Sequence, residues 1–309
     1  RLMDTVCHGL EFVFIYLDDI LVFSKNKKEH IQHLKQLFQR LSEFGLVVNT
    51  EKCQFGLSAI EFLGHHISSL GARPLTRKVE AVKNFPRPQS VQSLQEFAGM
   101  INFYHRFIPH AAHILKPIYS ALQGRPKSLT WSDALDHSFK AAKDALASAV
   151  MLIHPKMDAP TALTVDASGF AVGAVLEQYI QNKWQPIAFF SRQLRPPEQK
   201  YSAFDRELLA LHLSIRHFHY FLEGRKFTAF SDHKPLTFAF NKVSDPWSAR
   251  QQRQLSSISE FTTDVRHVAG KKNFVADALS RASVLFAAVS SSVDWSQLAA
   301  AQRDSHDEM

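Results

Sequence analysis

Cysteine is almost missing from this chain, with only Cys7 and Cys53 in 309 residues. There is no CxxC pair, which excludes a disulfide scaffold or a cysteine-rich zinc site and makes a reducing, intracellular setting the expectation. Long apolar runs are missing as well. None approaches the roughly 20 residues that a membrane-spanning helix needs, and no signal peptide opens the chain. No internal repeat is visible. What is present suits folded protein: 45% hydrophobic and 21% charged residues, enough for about two or three compact units. The formal net charge is +7, with a pI near 9.4. That excess favours polyanionic partners, because neutralised phosphates release counterions, although charge alone does not decide the matter.

Two apolar runs, Phe12–Leu17 and Ile20–Phe23, flank the adjacent Asp18 and Asp19. The pattern predicts a tight β-hairpin with carboxylates at its tip. Such turns favour Asn-Gly or Asp-Gly, since glycine accepts positive φ, whereas Asp-Asp lacks the glycine and crowds two like charges. Asn26 to Glu29 resembles a capping box, and Ile31, Leu34, Leu37, Phe38 and Leu41 follow at helical spacing up to Gly45, with the polar residues facing outward. "LVVNTEKCQF" and "IEFLGHHIS" predict a further pair of strands. Pro86–Ser90 is a break with Ser90 as N-cap, after which Leu94, Phe97, Ile101 and Tyr104 predict a helix to about Phe107. Another helix is expected over Asp133–Ala149, making 74–150 a small helical module.

From Met151 the pattern changes. Three β-rich runs, a helix over Pro197–Leu222, the strand "KFTAFSD", two further helices, the strand "FTTDVRHV" and the closing helix "NFVADALSR" predict a mixed sheet flanked by helices. The polar end beyond Arg281 reads as linker. The expected fold class is therefore α+β / α/β and multidomain. Four acids stand out by context: Asp166 and Asp232 at strand ends, Glu207 within a helix and Asp277 entering the closing helix. Each sits among apolar residues, where a lone carboxylate is costly to desolvate. Taken singly, each reads as a cap or a solvent contact. Taken together they can hold divalent cations through oxygen ligands and support two-metal phosphoryl transfer. Asp205 lies on another face of the Glu207 helix and is expected to be solvated.

"YLDDILVFS", "FLGHHIS", "LQEFAGMINFYHRFIP", "LTVDAS…VGAVL", "FFSRQL…KYSAFDRELLAL", "SDHKPL" and "VADALSR" occur in the order found in gypsy-type LTR-retrotransposon polyproteins. The chain resembles that family over nearly its whole length, from within the reverse-transcriptase palm through the thumb and ribonuclease H. The resemblance implies a partial palm over 1–73, a helical thumb over 74–150, a ribonuclease H domain over 151–282 and a linker over 283–309. Tyr16-Leu17-Asp18-Asp19 matches the palm motif whose aspartates hold polymerase metals. Leu63 and Gly64 match a segment that grips the primer strand. Gly99 and Asn102 lie on the helix that tracks the duplex, where Gly99 serves either close approach to a backbone or a helix–helix contact. Asp166, Glu207, Asp232 and Asp277 match the ribonuclease H quartet, so magnesium, or manganese in its place, is the implied cofactor. His267 lies beside that site as packing or a substrate contact, and His65-His66 reads as strand surface.

One departure matters. The family's polymerases need a third aspartate well before the hairpin, and upstream of Asp18 the chain has only Asp4 and Glu11. The expectation is a fragment of a longer polyprotein with an incomplete polymerase site and a complete nuclease, acting on RNA–DNA hybrids and primer–template duplexes in a cytoplasmic retroelement particle or the nucleus. The alternative is a non-catalytic remnant that only binds nucleic acid.

Overall fold

The computed structural model describes residues 2–124, 126–240 and 247–268. The chain divides into two compact units, Arg1–Lys78 and Val79–Met309. In the first, α1 (Leu2–Val6) precedes the antiparallel hairpin β1 (Val13–Tyr16) and β2 (Asp19–Val22), in which Tyr16 pairs with Asp19. The two-residue turn is Leu17–Asp18, and its positive φ (+52°) falls on Leu17 rather than on an aspartate. Asn26 caps α2 (Lys27–Glu43) by accepting the Glu29 N–H, while the Glu29 carboxylate accepts from Lys25 N–H, one residue short of a reciprocal box. Val6, Cys7, Leu37 and Leu41 form the buried core, with Ile15, Ile20 and Val22 against it. Ile31 and Phe38, expected on the same helix face, are exposed. His33 does not face outward: it stacks on Phe12 and hydrogen-bonds Ser24 Oγ.

The expected strand over "LVVNTEKCQF" does not form. Asn49 accepts the Glu51 N–H with its side chain and starts a short 3₁₀ turn at Thr50–Lys52, a local bond that competes with a strand ladder. "IEFLGHHIS" is instead a hairpin by itself. β3 (Ala59–Phe62) and β4 (His65–Ser68) join through Leu63 and Gly64, both at positive φ, the pattern of a type I′ turn, and β5 (Gly71–Pro74) adds a third antiparallel strand. His65 and His66 are half-buried there rather than on the surface.

Helix α3 (Thr76–Lys83) crosses into the second unit. Ser90 caps α4 (Val91–Phe103) by accepting the Ser93 N–H, and a 3₁₀ turn at His105–Phe107 carries the chain to α5 (Ala111–Ile114) and α6 (Lys116–Leu122). α7 (Asp133–Ala147) begins at Ser132, another side-chain cap. β6 (Thr161–Ala167), β7 (Ala171–Ile180) and β8 (Lys183–Gln193) then form an antiparallel meander. The helix expected over Pro197–Leu222 is three pieces: α8 (Pro196–Gln199), α9 (Ala203–His217) and α10 (His219–Leu222). Ser202 accepts the Asp205 N–H and restarts the helix as an N-cap, which the apolar periodicity did not reveal. β9 (Phe227–Ser231), α11 (Lys234–Ala239), α12 (Ala249–Ser259) and β10 (Val265–His267) complete the described chain, while "NFVADALSR" lies outside the described residues.

The five strands run in the order β10-β9-β6-β7-β8, with β9 parallel to β6 and β10 parallel to β9. Alternation along the strands sends neighbouring side chains to opposite faces. Leu176, Ala188 and Phe190 pack with Leu208, Leu211 and Ile215 of α9 in one core. Val175 and Phe189 pack with Phe97, Ile118 and Phe139 of the preceding helices in another. The sheet is therefore covered on both faces, one of them by the helical segment that precedes it.

Candidate active site

Parallel pairing aligns the C-terminal ends of β6 and β9, with Thr164 opposite Phe230. Two residues further along each chain stand Asp166 and Asp232. Glu207 lies in the second turn of α9, which packs against β6. A ligand oxygen from each of Asp166, Glu207 and Asp232 lies within 4.8 Å of the others. Burial is graded: Glu207 is 5% exposed, Asp166 is half-buried and Asp232 is open to solvent. The cluster is a cleft with a dry wall and a wet mouth.

The Glu207 carboxylate is fixed on both oxygens. Oε1 accepts the Ala167 N–H at 3.0 Å, and Oε2 accepts the Ser231 hydroxyl at 3.0 Å. Ser231 Oγ in turn accepts the His233 N–H at 3.1 Å. Burial, with the nearby charges of Asp166 and Asp232, pushes the Glu207 carboxyl up to about 8, despite those two bonds. Burial is also the main cause raising Asp166, opposed by the His110 ring and reinforced by Asp232. Like charges this close, partly out of water, hold a proton or call for a cation. An all-oxygen donor set with one lone pair still free on each bonded oxygen fits magnesium, manganese or calcium, not a soft thiolate metal. The residues present thus fit the implied cofactor.

Asp277 lies outside the described residues. Asp18 and Asp19 are exposed at the tip of the first hairpin and belong to no cluster of three acid, histidine or cysteine ligands among the described residues. Tyr16 is exposed on β1, and Leu63–Gly64 form the β3–β4 turn. Gly99 and Asn102 sit three residues apart on the exposed side of α4, and among the described residues a Cβ at Gly99 would meet nothing within 4 Å, so none of them packs on Gly99 as a helix–helix contact. His267 is exposed and pairs in register with Ser231. Asp205 is not solvated as expected. It accepts from Ser202, Gln251 and Arg250, bonds that hold its carboxyl below the usual range against the opposing effect of burial. Ser231 and the Ala167 N–H were missed from sequence, although Ser231 stands directly before Asp232.

Residues 131–229 match the family described as "RNase H-like domain found in reverse transcriptase". Residues 1–67 match "Reverse transcriptase (RNA-dependent DNA polymerase)". Among solved structures, that of the foamy viral protease-reverse transcriptase dRH in complex with ds DNA shares the fold at TM-score 0.71 and 20% identity, over 86% of this chain and 47% of that one. The foamy viral protease-reverse transcriptase in complex with RNA/DNA hybrid gives 0.69 and 21%, over 86% and 36%. The matches thus place a reverse-transcriptase segment at 1–67 ahead of an RNase H-like segment at 131–229, and the solved structures share the fold.

The chain is homologous to retrotransposon Pol polyproteins, in keeping with the gypsy-type resemblance of its motifs. It is 36% identical over 286 residues to the retrovirus-related Pol polyprotein from transposon 297 of Drosophila melanogaster, covering 92% of this chain and 26% of that protein. The transposon opus polyprotein of the same fly is 34% identical over 91% of this chain and 29% of its own length. The Transposon Tf2-3 polyprotein of Schizosaccharomyces pombe is 31% identical over 87% and 20%. The chain thus spans between 20% and 29% of these relatives' length.

Proposed function

We propose that this chain cleaves the RNA strand of RNA–DNA hybrids with magnesium or manganese, using the carboxylates of its second unit. The observation that carries this reading is the convergence of Asp166, Glu207 and Asp232 within 4.8 Å. Asp277 joins them by resemblance, from a ribonuclease H region assigned to 151–282. Divalent ions bound there would supply an activated water and stabilisation of the leaving oxygen. Glu207, locked by Ala167 and Ser231, keeps its remaining lone pairs in one orientation, so no rotamer search precedes binding. Asp232, at the wet mouth, meets the phosphodiester first. The hybrid's 2′-hydroxyls, displayed in a wide and shallow minor groove, distinguish RNA from DNA. Hydrolysis breaks the P–O3′ bond and leaves a 3′-hydroxyl and a 5′-phosphate.

In the same reading, 1–73 is palm, 74–150 is thumb, and 283–309 is a linker toward a further domain. Tyr16, Leu63, Gly64, Gly99 and Asn102 contact primer–template duplex. Asp18 and Asp19 supply two of three polymerase carboxylates, and the isolated chain is expected to bind duplex without extending a primer. A cytoplasmic retroelement particle is the proposed place of action. The test is incubation of the purified chain with labelled hybrid in magnesium. Cleavage that disappears in Asp166→Asn and Asp277→Asn supports the nuclease. Salt-sensitive hybrid binding with no metal-dependent cleavage selects the non-catalytic alternative.

A further inference from the structure

The helical segment reaches the carboxylate cluster with one side chain. His110 stands at the start of α5 with φ +50° and ψ +30°, the left-handed region that a non-glycine residue keeps only when its surroundings hold it. Its ring lies along Gly173 of β7, the cross-strand partner of Asp166. A Cβ at Gly173 would sit 3.5 Å from Nδ1 and 3.8 Å from Cε1, ordinary contact distances that place the imidazole directly against the sheet. His110, Thr164, Asp166 and Gly173 line one cavity of about 20 Å³. That volume holds a single water, which is stable where two to four polar groups surround it. The groups are there: the Asp166 carboxylate, the buried Thr164 hydroxyl, and Nε2 of His110, which is buried and has no hydrogen-bond partner among the described residues.

We propose that His110 is a positioning residue for Asp166, its Nε2 donating through one cavity water to the carboxylate. The proposal rests on the reading of Asp166 as a metal ligand of the nuclease. Burial lowers the proton affinity of the imidazole, against the raising effect of the Asp166 charge. A neutral ring offers one N–H, and directing it to the cavity fixes the tautomer. Asp166 and Asp232 bring like charges within 4.8 Å of each other, and a bond through the cavity water would hold the Asp166 carboxylate in its place in the cluster. The helical segment thereby carries part of the nuclease's supporting structure, although it holds none of its acids.

The test uses the full chain. His110→Ala is expected to lower kcat for hybrid cleavage on the order of ten-fold, as for other residues that orient a metal ligand, with KM for the hybrid unchanged. Imidazole added to the solution should restore part of that loss, and His110→Asn, which tolerates the left-handed backbone, should lose less. The second readout needs no turnover: the Nε2 resonance of His110 by NMR should move in Asp166→Asn and stay in place in Asp232→Asn. Cleavage by His110→Ala at the wild-type rate, or an Nε2 resonance indifferent to Asp166→Asn, overturns the proposal. If the wild-type chain cuts no hybrid, the nuclease reading falls, and the NMR comparison still decides whether His110 and Asp166 are linked. If His110→Ala fails to fold, the same spectra decide.

Discussion

The hairpin acids and the cleft acids stand within apolar sequence, Asp18, Asp19, Asp166 and Asp232 at a turn or strand end and Glu207 on α9, yet their surroundings have little in common. Asp18 and Asp19 project into water from a turn whose Leu17 is 76% exposed, beside exposed Phe14 and Tyr16. Among the described residues, the buried cluster of that unit consists of Val6, Cys7, Leu37 and Leu41. Asp166, Glu207 and Asp232 instead meet where a sheet covered on both faces ends, and hydrogen bonds from Ala167 and Ser231 lock the most buried of them. Two carboxylates in water need no compensation. Three that are partly desolvated do, and the protein supplies it with oriented donors and leaves the rest of the imbalance for a cation. A motif can thus be plain in sequence while its physical setting is slight, and the reverse.

That contrast can be broken by substitution. Asp166→Asn should lower magnesium-dependent hybrid cleavage on the order of 10³-fold, while Asp18→Asn and Asp19→Asn leave it intact; equal losses in gel assays would join the two sites into one. Phe97, fully buried and packed on Phe85 and Phe139, should cost about 4 kcal/mol on change to Ala, against less than about 1 kcal/mol for exposed Phe55→Ala, both read by urea denaturation. Glu177 is 3% exposed, and burial pushes its carboxyl up to about 7. Between about 4.5 and 7 the folded chain keeps this proton and the unfolded chain has lost it, so stability falls as pH rises through that window and levels above it. Glu177→Gln should remove up to about 3 kcal/mol of that fall, and a Tm–pH profile parallel to wild type would refute it. Leu17→Asn, which suits positive φ, should stabilise the first unit by about 0.5–1 kcal/mol in the same denaturation assay, and a loss of stability would mean the turn is not strained.

Sequence pattern carried most of the second unit, because its strands are β-rich apolar runs bounded by turn residues, buried on both faces, and Asp166, Glu207 and Asp232 sit where an apolar run ends or a helix turns inward. It failed where local hydrogen bonds outcompeted periodicity. Asn49 turned an expected strand into a 3₁₀ turn, and Ser202 restarted a helix that apolar spacing drew as continuous. Asp205 misled for a different reason: its partners Arg250 and Gln251 are more than forty residues away, and no window along the chain reveals them. His110 carried no signal either, since its role depends on a cavity built by other elements.

The adjacent residues Val175 and Leu176 face opposite cores, as do Ala188 and Phe189. One strand surface is thereby constrained twice by its inheritance. Recombination between elements that joined a foreign helical segment to this sheet near residue 150 would leave α9 perfectly matched and still place unfitted side chains against Val175 and Phe189. Exchange should therefore succeed when the junction lies before α3, whose Val82 belongs to the same core, so that helices and sheet travel as a pair.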